Sequence, residues 1–224
     1  GALRLQGGVR EGGDGGREAV TDTATLTSFL FTDIEGSSLK RLNHRAAMQC
    51  ALADHDRILR EAISAHEGEV FKTAGDAFLA AFKRPSDAVN AAIAAQKNLA
   101  AHDWSPVAGL KVRMAVHCGT AEKREGDYYG PALNRCARLL SLAHGGQVLA
   151  TSASAELLAA QREVKDPLRL IGMHPLDDPA QPVGIHQVLV GGLPQDFPPL
   201  RTAQARLTNL PNHLTSLSRT GTAD

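Results

Sequence analysis

The sequence predicts an α+β fold, a ferredoxin-like βαββαβ sheet with helices on one face. Three observations carry this. A short apolar run, TSFLFTD (27–33), ends on a carboxylate, as a buried strand reaching the end of a sheet does. The stretch EGEVFKTAGDAFLAAF (67–82) reads as two strands joined at a glycine-containing turn. Segments of helical period separate these from each other and from an alternating strand, KVRMAVHCG (111–119).

Each element follows from its own pattern. Between His44 and His66, Ala47, Met48, Ala51, Leu52, Ile58, Leu59, Ala62 and Ile63 recur at steps of three and four, an amphipathic helix. In the hairpin, Ala74 and Gly75 are expected as the two turn residues, with Gly75 taking a positive φ. Pro85 suits a helix start, and Ala88, Val89, Ala92, Ile93, Gln96 and Leu99 give that helix one face, closed before Trp104 and Pro106. In 111–119, Val112, Met114 and Val116 face one way, and Lys111, Arg113, Ala115 and His117 the other. A second hairpin arm, a helix from about Pro131 to Leu142, the strand QVLAT (147–151) and strand-like segments near 167–172 and 185–190 complete the pattern. Residues 1–22, rich in Gly and charge, read as a disordered leader, residues 23–192 as one domain, and residues 193–224, with several prolines, as a linker or tail.

Composition excludes several function classes. Twenty-four basic residues balance 24 acidic ones, so the chain has no electrostatic footprint for nucleic acid or an anionic membrane. No apolar run approaches the roughly 20 residues that span a bilayer, and the start lacks the apolar centre of a secretory signal. A cytoplasmic location is expected. Cys50, Cys118 and Cys136 show no CxxC spacing and are expected as buried, reduced thiols.

Three residue pairs carry chemistry. Asp33, in FTDIEGSS, and Asp76, at the hairpin tip, meet if the hairpin packs beside the first strand, and paired carboxylates of this kind hold magnesium. An isolated Asp in a hairpin more often only closes the turn. Asn134 and Arg138 lie four apart, on one face of a helix, where a neutral donor and a guanidinium suit a phosphate gathering negative charge; alone, such a pair is usually a solvated face. Lys72 before the turn and Asp127 in GDYYG offer a donor and an acceptor matching N1 and the N6 amino group of adenine, whereas guanine presents the opposite polarity. The plain alternative is a surface Lys and a turn Asp. His55 and His117 fit as packed or surface histidines without a direct role.

FTDIEGSS, KTAGDAFLAAF, KVRMAVHCG and GDYYGPALNRCARLLSLAHGGQVLATS together resemble the successive blocks of the class III nucleotidyl cyclase catalytic domain, nearest to bacterial soluble adenylyl cyclases, over residues 27–190. The resemblance implies conversion of ATP to 3′,5′-cyclic AMP and pyrophosphate with two Mg2+ or Mn2+ ions per site. It implies that Asp33, Asp76 and the Ile34 backbone carbonyl hold the metals and that Lys72 and Asp127 select adenine. Asn134 and Arg138 would orient the ribose and stabilise the transition state, and Arg113 would contact phosphate. Two departures stand out: GMHPLDDP carries Asp177 where relatives have a basic residue near the triphosphate, and Cys136 replaces a small residue, a thiol that could make activity oxidation-sensitive. The tail is similar to the linker that, in long bacterial regulators, leads to an ATPase and DNA-binding region.

A homodimer with shared sites is the expected assembly. With Ala74 and Gly75 as the turn, Thr73 pairs with Asp76 and Lys72 with Ala77, which sends Lys72 and Asp76 to opposite faces. The family implication agrees, since it divides the metal residues and the base-reading residues between two chains. The alternatives are a catalytically degenerate cyclase domain that binds nucleotide or only dimerises, and a nucleotidyltransferase with a similar carboxylate pair, which leaves Lys72 and Asp127 unexplained.

Overall fold

The computed structural model describes residues 24–161, 168–176 and 180–201. The leader, Asp177 and the tail beyond residue 201 lie outside the described residues. Strand β1 (Thr25–Ile34) is the centre of the fold, and its last eight residues are all buried. It lies antiparallel between β3 (Ala77–Phe82) and β4 (Val112–Arg124). A strand covered on both faces needs apolar residues on both, which is why FLF reads as a continuous run rather than an alternation. The sheet continues outward through β2 (Glu69–Ala74) on one side. On the other side come β6 (Val148–Thr151), β8 (Val183–Val188) and β7 (Leu168–His174), giving the order β2-β3-β1-β4-β6-β8-β7, with β5 (Asp127–Tyr129) hairpinned onto β4. The β2-β3-β1-β4 core has the expected ferredoxin-like order.

The helices α2 (Arg45–Ala65), α3 (Pro85–Ala101) and α5 (Ser152–Gln161) share one face of the sheet, packing with Leu30, Phe78, Met114 and Val116. Helix α4 (Pro131–Leu142) lies on the other face, on Phe29, Phe31, Leu79 and Ala115. The expectation of helices on one face therefore holds for three of them and needs correction for α4. Its sequence explains the position: Leu133, Cys136, Ala137, Leu139 and Leu140 form an apolar stripe that packs against the second face of β1 and β4.

Two helices have no counterpart in the sequence reading. Helix α1 (Ser37–Asn43) buries only Ser37 and exposes Leu39 and Leu42, so it carries no apolar stripe. Helix α5 has apolar residues all round and a buried Leu158, which leaves no 3.6-residue period to detect. Among the described residues no helix is long and apolar enough to cross a membrane.

The β2–β3 hairpin corrects the expected register. Ala74 pairs with Ala77, Thr73 with Phe78 and Lys72 with Leu79, so the turn residues are Gly75 and Asp76, one position later than expected. Gly75 takes φ 66°, as foreseen. A bulge between Val70 and Lys72 accompanies the shift. Phe71 then packs on the α4 face, and Lys72, paired with Leu79, shares it. Asp33 alternates with Ile34 and so lies on this face with Phe31. Asp76, now a turn residue, has no strand face to set against that of Lys72, and Lys72 and the metal-ligand candidate Asp33 lie on the same face of the sheet, so strand register gives no reason for a shared site. The thiols also differ from expectation: Cys118 and Cys136 are buried, but Cys50 is exposed on α2.

Candidate active site

The end of β1 delivers the first group. Asp33 stands directly across from Arg113 in the antiparallel β1–β4 register, where paired side chains share a face. Arg113 Nε donates to Asp33 Oδ2 at 3.0 Å, and Nη2 donates to the same oxygen. Asp76, fully buried in the hairpin turn, reaches back to this strand. Its Oδ2 accepts from the Ile34 N–H at 3.1 Å, and its Oδ1 accepts from Arg41 Nη2 at 2.8 Å. Gly36 turns the chain at φ 67° directly after Ile34 and Glu35, so that α1 carries Arg41 over Asp76. The two carboxylates are close enough to perturb each other. Burial raises the Asp33 carboxyl above its ordinary value, Arg113 opposes that, and the neighbouring Asp76 adds to it.

Asp33 Oδ1 is buried and has no hydrogen-bond partner among the described residues. An orphaned carboxylate oxygen beside a second buried carboxylate is costly unless a cation completes it. Among the described residues no cluster of three or more acidic, His or Cys side chains occurs. Two carboxylates with a backbone carbonyl suit magnesium or manganese, which bind through one or two carboxylates plus substrate phosphates rather than in an all-protein cage. The residues present fit such an ion.

Lys72 and Asp127 form the second group. Lys72 Nζ donates to Asp127 Oδ2, and Asp127 Oδ1 accepts from the Tyr128 N–H at 2.8 Å. An aromatic floor fixes their spacing: Phe71 and Tyr128, the chain neighbours of the two residues, meet at 4.9 Å between ring centroids, and both contact Phe29. The third group is on α4. Asn134 and Arg138 are half-buried one turn apart, and Arg138 Nη1 donates to the Leu176 carbonyl at 2.7 Å. That bond ties Leu176, just after β7, to α4.

The sequence-level pairings of Asp33 with Asp76 and of Lys72 with Asp127 are thus both brought together. Arg113 is on the site but bonded to a carboxylate. Cys136 is correctly between Asn134 and Arg138 in sequence but points away from them. Its thiol faces the carbonyls of Ala115 and Phe29, and complete burial pushes its pKa well up, so the expected oxidation sensitivity is not supported. His117 is also packed inside, 2.8 Å from Thr151 Oγ1. Arg41 escaped the sequence reading because α1 has no apolar period to reveal it and its partner Asp76 is 35 positions away.

Comparison with known proteins bears on this geometry. The family model described as the adenylate and guanylate cyclase catalytic domain matches residues 20–174. An uncharacterized Mycobacterium tuberculosis protein is 35% identical over 204 residues, spanning 90% of this chain and 68% of the relative. A receptor-type adenylate cyclase of Trypanosoma equiperdum is 31% identical over 211 residues, spanning 75% of this chain and 44% of that protein. A solved Trypanosoma brucei adenylate cyclase in its monomeric state superposes with a TM-score of 0.72 at 29% identity, covering 81% of this chain and 93% of the other. The adenylyl cyclase CyaB of P. aeruginosa shares the fold, with a TM-score of 0.64 at 21% identity, over 75% of this chain and 95% of that one.

Proposed function

The chain belongs to the class III adenylate and guanylate cyclase catalytic-domain family, and from that premise we propose that it is an adenylyl cyclase acting on ATP at sites shared across a homodimer. The observation that carries the choice of ATP is the Lys72–Asp127 pair, which holds a donor and an acceptor side by side on an aromatic floor. Lys72 would donate to adenine N1 and Asp127 would accept from its N6 amino group. Guanine would set donor against donor there and leave buried polar groups unpaired.

In this reading Asp33, Asp76 and the Ile34 carbonyl would hold two ions, Mg2+ or Mn2+. Bound there, the ions supply a lowered pKa for the ribose 3′-hydroxyl and neutralisation of the triphosphate. The 3′-oxygen attacks the α-phosphorus as the bond to pyrophosphate breaks, and the hydroxyl proton leaves to solvent. Asn134 would orient the ribose. Arg138 would stabilise the charge building on the α-phosphate, exchanging its Leu176 partner for phosphate oxygens, and Arg113 would turn from Asp33 toward the phosphates once the carboxylate engages metal. No protein nucleophile is needed. Exposed Leu39 and Leu42 on α1, beside Arg41, supply apolar surface for a second copy. A cytoplasmic location and a place ahead of an ATPase and DNA-binding region in a longer protein belong to the same proposal.

A degenerate, non-catalytic cyclase domain is the second reading. It is favoured by the arginines that occupy both metal carboxylates, Arg113 on Asp33 and Arg41 on Asp76. Incubation with ATP or GTP and Mg2+ or Mn2+ decides between them. The proposal expects cyclic AMP, with ATP preferred by about 100-fold or more. Equal or faster turnover of GTP overturns the base assignment, and absence of any cyclic product with either metal supports the degenerate domain.

A further inference from the structure

After β8 the chain runs back across the domain. The Gln195 carbonyl accepts from Arg169 on β7 and Gln187 on β8, each at 2.6 Å. Leu193, Pro194 and Phe197 line a cavity of about 560 Å³ together with Leu99 and Trp104. His144 Nε2 donates to the Pro199 carbonyl at 3.0 Å, which leaves its Nδ1 to accept from Arg201 Nε at 3.4 Å. The run reaches Arg201, which makes two further bonds. Its backbone N–H donates to the Leu142 carbonyl at 3.1 Å, one of the carbonyls that the end of α4 cannot satisfy within the helix. Its guanidinium forms an ion pair with Glu35, whose Oε1 also accepts from the Gly145 N–H at 3.2 Å.

These two bonds join the separate parts of the site. Glu35 follows Ile34, whose N–H fixes Asp76, and the Glu35 N–H itself donates to the Lys111 carbonyl at 2.9 Å. Leu142 closes the helix that bears Asn134 and Arg138. Arg201 therefore spans the metal-binding turn and the end of the α4 helix, and it lies outside the residues matched by the family. A single half-exposed ion pair contributes little. Here the pair is one anchor of several along a segment that also half-buries Leu193, Phe197 and Leu200, so its geometry is held by the whole run.

We propose that Arg201 is a positioning residue, and residues 193–201 a strap, through which docking of the strap onto Glu35 and the end of α4 sets the affinity of the Asp33–Asp76 site for divalent cations. The inference rests on the cyclase reading of that site. It gives the chain beyond Arg201 a route to the active site, because displacing the strap would release Glu35 and the turn after β1 together.

The test measures Mn2+ binding to the full chain without nucleotide, by the electron paramagnetic resonance signal of free Mn2+, alongside cyclase kinetics. The variants are Arg201→Ala, Arg201→Lys and Glu35→Gln, with Asp33→Asn defining site-specific binding. Trp104, the single tryptophan, lines the same cavity as Phe197 and reports by its fluorescence whether the strap stays seated and the domain folded. Arg201→Ala should weaken Asp33-dependent Mn2+ binding about tenfold and raise the Mg2+ needed for half-maximal activity in proportion, leaving KM for ATP at saturating metal unchanged. Glu35→Gln, which keeps an acceptor for Gly145, should do the same, and Arg201→Lys should recover part of the loss. Unchanged Mn2+ affinity in folded Arg201→Ala or Glu35→Gln protein, with or without a lowered melting temperature, overturns the inference alone. Absence of Asp33-dependent Mn2+ binding in the wild type overturns it together with the metal-site reading.

Discussion

Asp33, the proposed metal ligand, is held in the fold at a cost to stability. Its carboxyl is raised, first by burial, above the roughly 3.9 of an unfolded chain. Between the unfolded and folded values the native state holds more protons, so stability falls as pH rises through that window and the full cost is present above it. Asp33→Asn should therefore melt higher than wild type at neutral pH without metal, with the difference closing as pH drops below the folded value. The same variant should lose about 100-fold or more in activity and show no thermal shift with Mg2+. A lower melting temperature for Asp33→Asn would show that its pairing with Arg113 outweighs burial. At the proposed base-reading pair, the double exchange Lys72→Glu with Asp127→Lys reverses donor and acceptor while keeping the ion pair. The ATP-to-GTP ratio of kcat/KM should fall at least tenfold, roughly, and an unchanged ratio would remove these residues from base selection. The positions of Asp33, Asp76, Lys72 and Asp127 at strand ends and turns were legible because such places announce themselves locally. Arg41, Glu35 and Arg201 were not, since nothing in a sequence marks a charged residue whose partner is 35 or 166 positions away.

The hairpin and α4 hold the site in place, and each yields a prediction. Gly75 at φ 66° sits just before Asp76, in a conformation that costs a residue with a Cβ about 1–2 kcal/mol. Gly75→Ala should lower stability by about that amount and also raise the metal concentration needed for activity, because Asp76 moves with the turn. A stability loss with unaltered metal dependence would separate the turn from the site. On α4, Cys136 is buried against β1 and β4, so a thiol reagent should modify Cys50 alone in the native protein and all three cysteines after denaturation, without affecting activity beforehand. Inhibition that tracks modification of Cys136 would contradict its burial. Most elements were readable because α2, α3 and β4 have clean periods and β3 is a continuous apolar run. The one-residue error at the hairpin came from the bulge at Phe71: a two-residue turn can be set on Ala74–Gly75 or Gly75–Asp76 with equal local merit, and only packing of Phe71 on Phe29 and Tyr128 selects the second. Helices α1 and α5 lacked any period to read.

At the scale of the whole molecule, the sheet order and the family were legible because four motifs occur in order, whereas α4's place on the second face depended on tertiary contacts that spacing does not encode. The shared site is the claim that joins every residue role proposed above. The strand register no longer argues for it, as Lys72 and Asp33 share a face; the family membership and the exposed Leu39 and Leu42 support it. Mixing two defective homodimers tests it most directly. Asp33→Asn and Arg138→Ala proteins should each be nearly inactive, the first lacking a metal ligand and the second the transition-state guanidinium. After re-equilibration, a heterodimer carries both lesions at one site and none at the other. The account predicts recovered cyclic AMP formation, up to about half that of a wild-type dimer for each heterodimer if the sites act independently. Verified heterodimers that stay as inactive as their parents, beside an active wild type, would contradict it.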